Sequence, residues 1–490
     1  MKKVLIYSVC EDINAVEAAK ENIEKGNEVF IIECDSKLGN CQHNIFGSRL
    51  MCAFCYHSIH SAIKRLGLSQ KVHLLRLSSL ITKEDEAEAA KVNVEFNSVQ
   101  ELKDLTYKGA ELGFGAFSSY VTFSRNAMPD MTEDFKDYIR VLFHKEVLLY
   151  NAIERLHHKY CFDLIIFHNG RFAQFKPFLE FAKINHIDYI ATEVKIQGDK
   201  WMKDNFYNDV PHSISYLANN VLKNWEIGDP STREEIGRSF FEKRKKGVPA
   251  GDKVYVKGQH AGEYPEGWDD NVENISIYNG SEDEYCSISK EWDGNLMFPN
   301  QYEALKTIFE HYKNDKTKHF YLRIHPNLKN VPYKSHLALF ELKYDNVTII
   351  PADSTISSYT LLDMSDKIII FDSTIGLEAA YWGKPVIELT KYIYTLLGLL
   401  NNPRTPEEIW PLIDNKELKP IVNDNIIKYG YWCLQPNYPE FNKIPYRFVT
   451  YKVNGITNTV PTYLKAFGSY KLQCSGPYHS HPRQSSLEYC

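Results

Sequence analysis

One stretch constrains the fold more than any other: Asp366-Lys-Ile-Ile-Ile-Phe-Asp-Ser-Thr-Ile-Gly-Leu-Glu-Ala-Ala-Tyr-Trp-Gly-Lys-Pro-Val-Ile-Glu-Leu389. Its first apolar run, Ile368 to Phe371, is short and β-branched, the composition of a parallel strand covered on both faces. Asp372-Ser373-Thr374 follows as a polar turn, and Gly376 loosens the backbone. Residues 378–382 have a helical composition, and Gly383 before Lys384-Pro385 stops that helix ahead of a second buried run. A strand that turns sharply into a helix leaves the helix's first N–H groups without intrahelical partners. With Ser373 and Thr374 beside them, the turn either binds an anion, most simply a phosphate, or only caps its own helix. Spacing alone leaves both readings open.

The rest of the chain repeats the strand-then-helix rhythm. Strands are expected at 4–8, 28–33, 72–77, 162–169 and 189–194, with helices at 15–25, 133–158 and 172–184 between them. Residues from about 220 to 251 are charged and helical and end in Lys243-Arg-Lys-Lys-Gly-Val-Pro-Ala-Gly251, a break that separates two halves. The rhythm then restarts with strands at 274–279, 319–325 and 346–350 and helices at 301–315 and 357–364. Strands alternating with helices mean a parallel sheet with right-handed crossovers. At 490 residues the chain exceeds what one core organises. We therefore expect an α/β protein of two Rossmann-like lobes: 1–235, then 250–400, with 401–490 as closing helices and a polar tail.

Composition excludes some functions. The chain has 57 basic and 63 acidic residues, a net charge of -6, which does not favour a general nucleic-acid or membrane-surface binder. Residues 1–9 carry an apolar run too short for a signal peptide, and Glu11 and Asp12 follow at once, so they read as a first strand. No apolar run approaches the roughly 20 residues of a membrane-spanning helix. The expected location is the cytoplasm, at most at the inner face of the membrane, where the ten cysteines stay mostly reduced.

Ligands of parallel sheets sit at the carboxyl ends of the strands. Asn279, His325 and Ser373 lie at such ends in the second half. Leu322-Arg-Ile-His-Pro-Asn327 brings Arg323 and His325 to one strand end, a cation and a donor suited to a phosphate leaving group. The bland alternative is a strand-end histidine bonded to backbone.

Together, Ile324-His325-Pro326, the run from Ser357 to Asp366 and the run from Ser373 to Pro385 resemble the capsular and surface-polysaccharide glycosyltransferases of the GT-B fold. These are similar to the Kdo transferases and polysialyltransferases that use CMP-activated sugars. The resemblance covers about residues 274–389. His-Pro is a short and common pair, whereas the Ser-Thr to Lys-Pro string is specific. The resemblance implies two lobes with a cleft between them and chemistry that needs no metal cofactor. It implies that His325, Ser373 and Thr374 contact the donor nucleotide's phosphate and ribose. Glu378 would hold the ribose or support the turn, and Asn279 and Ser281 would meet the donor. The same arrangement occurs in the teichoic-acid glycerophosphotransferases, which use CDP-glycerol and supply the alternative reaction. A non-catalytic nucleotide- or glycan-binding subunit of a capsule assembly complex is the alternative from another class.

The acceptor, a glycan or glycolipid, falls to the first half. A transferase of the inverting type needs a base for the acceptor hydroxyl. Glu193, at a strand end, is the first candidate, His168 the second, and Glu11 or Asp12 the third. Asn169 and Arg171, in the turn after the 162–169 strand, are acceptor-side candidates. Each of these residues can equally do no more than hold a loop. Cys34, Cys41, Cys52 and Cys55 crowd one region with His43 and His57. Cys52-Ala-Phe-Cys55 has the spacing of a zinc knuckle, so Cys41, Cys52 and Cys55 either bind a structural zinc or are buried thiols. Asp269-Asp270 reads as a solvated loop.

Overall fold

The computed structural model of the chain describes residues 1–439 except 9–12, 40, 42–43, 45–47, 50–51, 54, 57–62, 65–66, 198–199 and 252–257. The described residues divide into two compact units. The first holds residues 1–123, 130–211 and 438–439, and the second Ser124–Pro129 and His212–Asn437.

The first unit is built on six strands: β1 (Lys3–Ser8), β2 (Glu28–Glu33), β3 (His73–Arg76), β4 (Leu164–His168), β5 (Asp188–Gln197) and β6 (Lys200–Tyr207). Their order is β3-β2-β1-β4-β5-β6. All pair in parallel except β6, which returns antiparallel along β5. Valines and isoleucines of the first strands face one another in register, as at Val4 and Val29, and are buried on both sides of the sheet. The edge strand β6 was not expected. Among its described side chains Met202, Asp204 and Phe206 are the buried ones, at every second position, while lysines and Asn205 interrupt the apolar signal. The helix Leu112–Ser124 was also not expected. Its glycines and serines weaken a helical reading, yet most of its residues are buried, so packing overrides propensity. The strand expected at 72–77 is shorter, because the chain turns helical at Leu77.

The second unit is built on β7 (Glu273–Tyr278), β8 (Lys318–Arg323), β9 (Val347–Ile350), β10 (Lys367–Ile370) and β11 (Val386–Glu388). These five strands are all parallel, in the order β11-β10-β7-β8-β9. The two units thus share one winding: the first strand of each lies between the second and the fourth. Strand order reverses there, beside β1 and β4 and beside β7 and β10, and such switch points are where these sheets leave room for a ligand. The core of the second unit sets Ile275, Ile277, Phe320, Leu322 and Ile369 against Ala304, Leu305, Ile308 and Phe309 of the helix Gln301–Tyr312.

The charged helices fall on the second unit's side of the division. Arg233–Lys245 packs against Asn425–Leu434 through two facing glycines. A Cβ on Gly237 would run into the carbonyl of Ile427, and one on Gly430 into the carbonyl of Gly237. The expected border at 235 therefore falls inside a helix, and the chain from 401 to 437 belongs to the second unit. Among the described residues no helix is long and apolar enough to cross a membrane.

Candidate functional site

At the β7/β10 switch point three strand ends are tied together. Asn279, buried just beyond β7, accepts the His325 backbone N–H on its Oδ1 at 2.8 Å. Gly280 donates its N–H to Gln301 Oε1 at 3.0 Å. A Cβ at Gly280 would strike the Asp372 carboxylate just beyond β10, so only glycine lets these two ends approach so closely. Ser281 Oγ donates to Asp283 Oδ1 at 2.6 Å and accepts from Arg125 Nη2 at 2.9 Å. A small pocket opens here, lined among others by Arg125, Asn279, Gly280, Asp283, Gln301 and His336.

The electrostatics are specific. Burial first, then the charge of Arg125, pushes the His325 imidazole down to about 4, with Asp283 opposing. Its Nδ1 accepts the Asn327 N–H at 3.2 Å. The neutral ring therefore carries its proton on Nε2, which makes it a donor rather than a base. Burial, then Glu284 and, less, Glu282, pushes the Asp372 carboxyl up to about 7.

Ser373 and Thr374 follow at the same end. Thr374 occupies the N-cap of the helix Ile375–Tyr381, but in a helical conformation, φ -56° and ψ -28°, and its side chain caps nothing. The capping alternative for Thr374 is thus not what the fold does with it. Its hydroxyl instead meets the buried Tyr394.

Two of the donor-side expectations are corrected. Arg323 is 2% exposed, and its guanidinium donates to the carbonyls of Pro351 and Ser354, holding the loop after β9. Strand geometry would put it on the same side as His325, but β8 ends at Arg323 and the alternation stops there. Glu378 is 1% exposed. It accepts from Arg244 Nε at 2.9 Å and from the Tyr359 hydroxyl. Its carboxylate is thus engaged with Arg244 and Tyr359 inside the unit, and at 1% exposure it is not open to a ribose.

In the first unit Glu193, His168 and Asn169 lie together. Asn169, at φ +54°, donates from Nδ2 to Glu193 Oε2 at 2.7 Å. His168 Nε2 lies 3.8 Å from Glu193 Oε1. Gly170, at φ +91°, makes the turn that follows. Arg171 reaches Thr122 Oγ1 at 3.3 Å and lies over the Phe172 ring. The sequence reading missed Asp204, which pairs with Glu193 across β5 and β6 and is 1% exposed. Burial pushes its carboxyl up to about 6, with Glu193 adding to the effect and Lys195 opposing it. Without the unexpected β6, nothing in the sequence could have brought the two carboxylates together. Glu11 and Asp12 lie outside the described residues, as do His43 and His57.

Among the described residues no group of three or more Cys, His, Asp or Glu is placed to hold a metal ion. Cys52 Sγ accepts from Asn44 Nδ2 at 3.1 Å and lies 3.7 Å from the Gly39 carbonyl, the contacts of a buried thiol. Asp269 accepts from Asn271 in an exposed loop, as expected of a solvated turn.

Residues 294–429 match the family described as Capsule polysaccharide biosynthesis protein. That span includes His325, Ser373 and Thr374. No curated protein matches the chain. Among solved structures it is similar to Thermosulfurimonas dismutans KpsC, a beta Kdo 2,4 transferase, with 15% identity, 57% of this chain and 81% of that chain covered, and a TM-score of 0.36. The calicheamicin glycosyltransferase CalG4 shares 10% identity over 88% of this chain and 94% of that chain, TM-score 0.25. The Methanocaldococcus jannaschii UDP-GlcNAc 2-epimerase shares 12% over 88% and 98%, TM-score 0.23. Residues 294–429, with His325, Ser373 and Thr374 among them, are thus similar to the capsule polysaccharide biosynthesis family.

Proposed function

We propose that this chain transfers a sugar from a nucleotide-sugar, a CMP-sugar in first place, to a growing surface polysaccharide or its lipid-linked precursor. The observation that carries the reading is the joining of three strand ends at the β7/β10 switch point around His325, whose backbone N–H is held by Asn279 and whose Nδ1 is taken by the Asn327 N–H.

In the reaction the bond between the sugar's anomeric carbon and the donor phosphate breaks, and its electron pair goes to the phosphate oxygen. A preorganised donor aimed at that oxygen stabilises the charge as it develops. His325 Nε2–H takes this role, and the hydroxyls of Ser373 and Thr374 assist. No net proton need leave His325, which fits a ring that stays neutral at pH 7. The acceptor hydroxyl attacks the anomeric carbon and loses its proton to a base. Glu193 is that base, oriented by Asn169 and flanked by His168. The chemistry so read uses no metal ion. A lipid-linked acceptor would bring the protein to the inner face of the membrane.

Calorimetric titration with CMP, UDP and GDP tests the reading. CMP binds most tightly, and His325→Ala weakens its binding about tenfold or more, as loss of a hydrogen bond to a charged group does. If none of the three binds, or if His325→Ala leaves the tightest unchanged, the donor site is not here.

A further inference from the structure

The His325 ring is held through a turn that begins with His325 itself. Beyond β8 the chain makes a 3-10 turn over Pro326–Leu328. The His325 side chain caps it, its Nδ1 accepting the Asn327 N–H at 3.2 Å. The Leu328 N–H donates to the His325 carbonyl at 2.9 Å. Pro326 has no N–H to give, and the hydrogen bonds of 3-10 turns are poorly aligned. The place of Asn327 therefore depends on what grips it from outside the turn.

That grip comes from Arg125, a residue to which no motif pointed. Its Nη1 donates to the Asn327 carbonyl at 2.9 Å. Its Nε donates to Asp283 Oδ2 at 2.9 Å, and its Nη2 to Ser281 Oγ at 2.9 Å and to Asp283 Oδ1 at 3.4 Å. All three nitrogens are thus engaged with the protein, so the fork is a brace and not an open anion site. The backbone is set for this task. Arg125 has φ +59°, a region that residues with a side chain seldom enter. The Asn126 N–H on Ser124 Oγ and the Met128 N–H on Asn126 Oδ1 fold the segment around it. Such conformations persist only where the surroundings hold them, and they gather at functional sites.

The chain of contacts runs from Asp283 and Ser281 through Arg125 to Asn327 and ends on His325 Nδ1. A neutral imidazole whose Nδ1 accepts carries its proton on Nε2. If Asn327 moves away, the other tautomer becomes accessible, and Nε2 then presents a lone pair where it had presented a donor. The charge of Arg125 acts in the same sense, since after burial it is the largest cause that disfavours a second proton on the ring, with Asp283 opposing and Arg323 adding. We propose that Arg125 is a positioning residue: through the Asn327 carbonyl it keeps the Asn327 N–H on His325 Nδ1, and so keeps the ring proton on Nε2. That this proton serves a donor phosphate rests on the nucleotide-donor reading above; that Arg125 sets the tautomer does not.

The test reads the ring directly. The intact protein is labelled with nitrogen-15 in its histidine rings, and the NMR signals lost in His325→Gln identify His325. In the wild type at pH 7 the two ring nitrogens give well-separated signals, with the proton on Nε2. In Arg125→Met the two signals move toward each other as the tautomers mix. Whichever of CMP, UDP and GDP the wild type binds most tightly then binds about twofold to tenfold more weakly by calorimetry, the effect of one weakened hydrogen bond. Arg125→Lys keeps a cationic donor without the fork and restores part of the wild-type signal separation. Ser281→Ala removes one of the bonds that aim the guanidinium and shifts the signals less, in the same direction. If Arg125→Met does not fold, Arg125→Lys and Ser281→Ala are read by the same signals. Unchanged His325 signals in the folded variants, or a wild-type ring protonated on Nδ1, overturn the role of Arg125. If the signals shift as expected while the wild type binds none of the three nucleotides, the donor reading falls and the role of Arg125 in setting the tautomer stands.

Discussion

Replacing Arg244 by leucine removes the cation from a buried pair and leaves Glu378 among apolar neighbours. Arg244 and Glu378 have side chains 9% and 1% exposed, 2.9 Å apart, with the Tyr359 hydroxyl as the carboxylate's other partner. Breaking such a pair from one side costs about 3–5 kcal/mol. Burial pushes the Glu378 carboxyl up, with Arg244 and Tyr359 opposing, so removing Arg244 raises it further in the folded state. A carboxyl raised in the folded state stabilises it below the unfolded value, and that stability is lost as pH rises toward the folded value. The destabilisation of Arg244→Leu should therefore be largest near pH 7, about 3–5 kcal/mol, and smaller near pH 5. Equilibrium urea unfolding of wild type and variant across this range measures it. Adding Glu378→Gln to the variant should remove the pH dependence. A loss under about 1 kcal/mol at neutral pH, or the same loss at both ends, would refute the claim that Glu378 is buried support rather than a ribose ligand.

The same logic applies elsewhere. Asp372, pushed up to about 7, binds more protons folded than unfolded between its ordinary value and 7, so its contribution to stability falls as pH rises through that window. Asp372→Asn should melt above the wild type near pH 8 and with it near pH 4; equal melting temperatures at both would contradict the assignment. Glu193→Gln should cut sugar transfer about a hundredfold or more while nucleotide binding, read by calorimetry, stays as it was. A variant with wild-type transfer would move the base elsewhere. Gly237→Ala drives a Cβ into the Ile427 carbonyl and should cost about 1–3 kcal/mol in urea unfolding, whereas the same change at Gly267, open and at φ +76°, pays only for its backbone conformation.

The local patterns in the second unit were largely legible. The apolar run before Asp372 became β10, the Ser357 helix begins at its serine cap, and Asn279, His325 and Ser373 all lie at the strand ends where the rhythm put them. Parallel strands buried on both faces write themselves as unbroken apolar runs, and the helices between them keep their own period. Arg323 was misread because alternation tells direction only as long as the strand lasts, and the strand ends at that residue. The Ser213-capped helix Ile214–Ile227 and the Arg233–Lys245 helix looked like a linker because their charges are local while their packing partner is some 190 residues away.

What the sequence by itself determined, then, is the alternation of strand and helix, and hence the carboxyl ends at which polar residues gather. Short-range periodicity and turn chemistry carry that information. Only the tertiary structure decided which of those ends meet. Strand order placed β7 between β8 and β10, so that Asn279 could hold His325 and Gly280 could lie against Asp372. It set Asp204 opposite Glu193 across a strand with a weak sequence signal. It also brought Arg125, from a turn with no motif, to Ser281 and Asp283 more than 150 positions along the chain. Such contacts arise from closing long loops against a shared core, and no local pattern of residues encodes them.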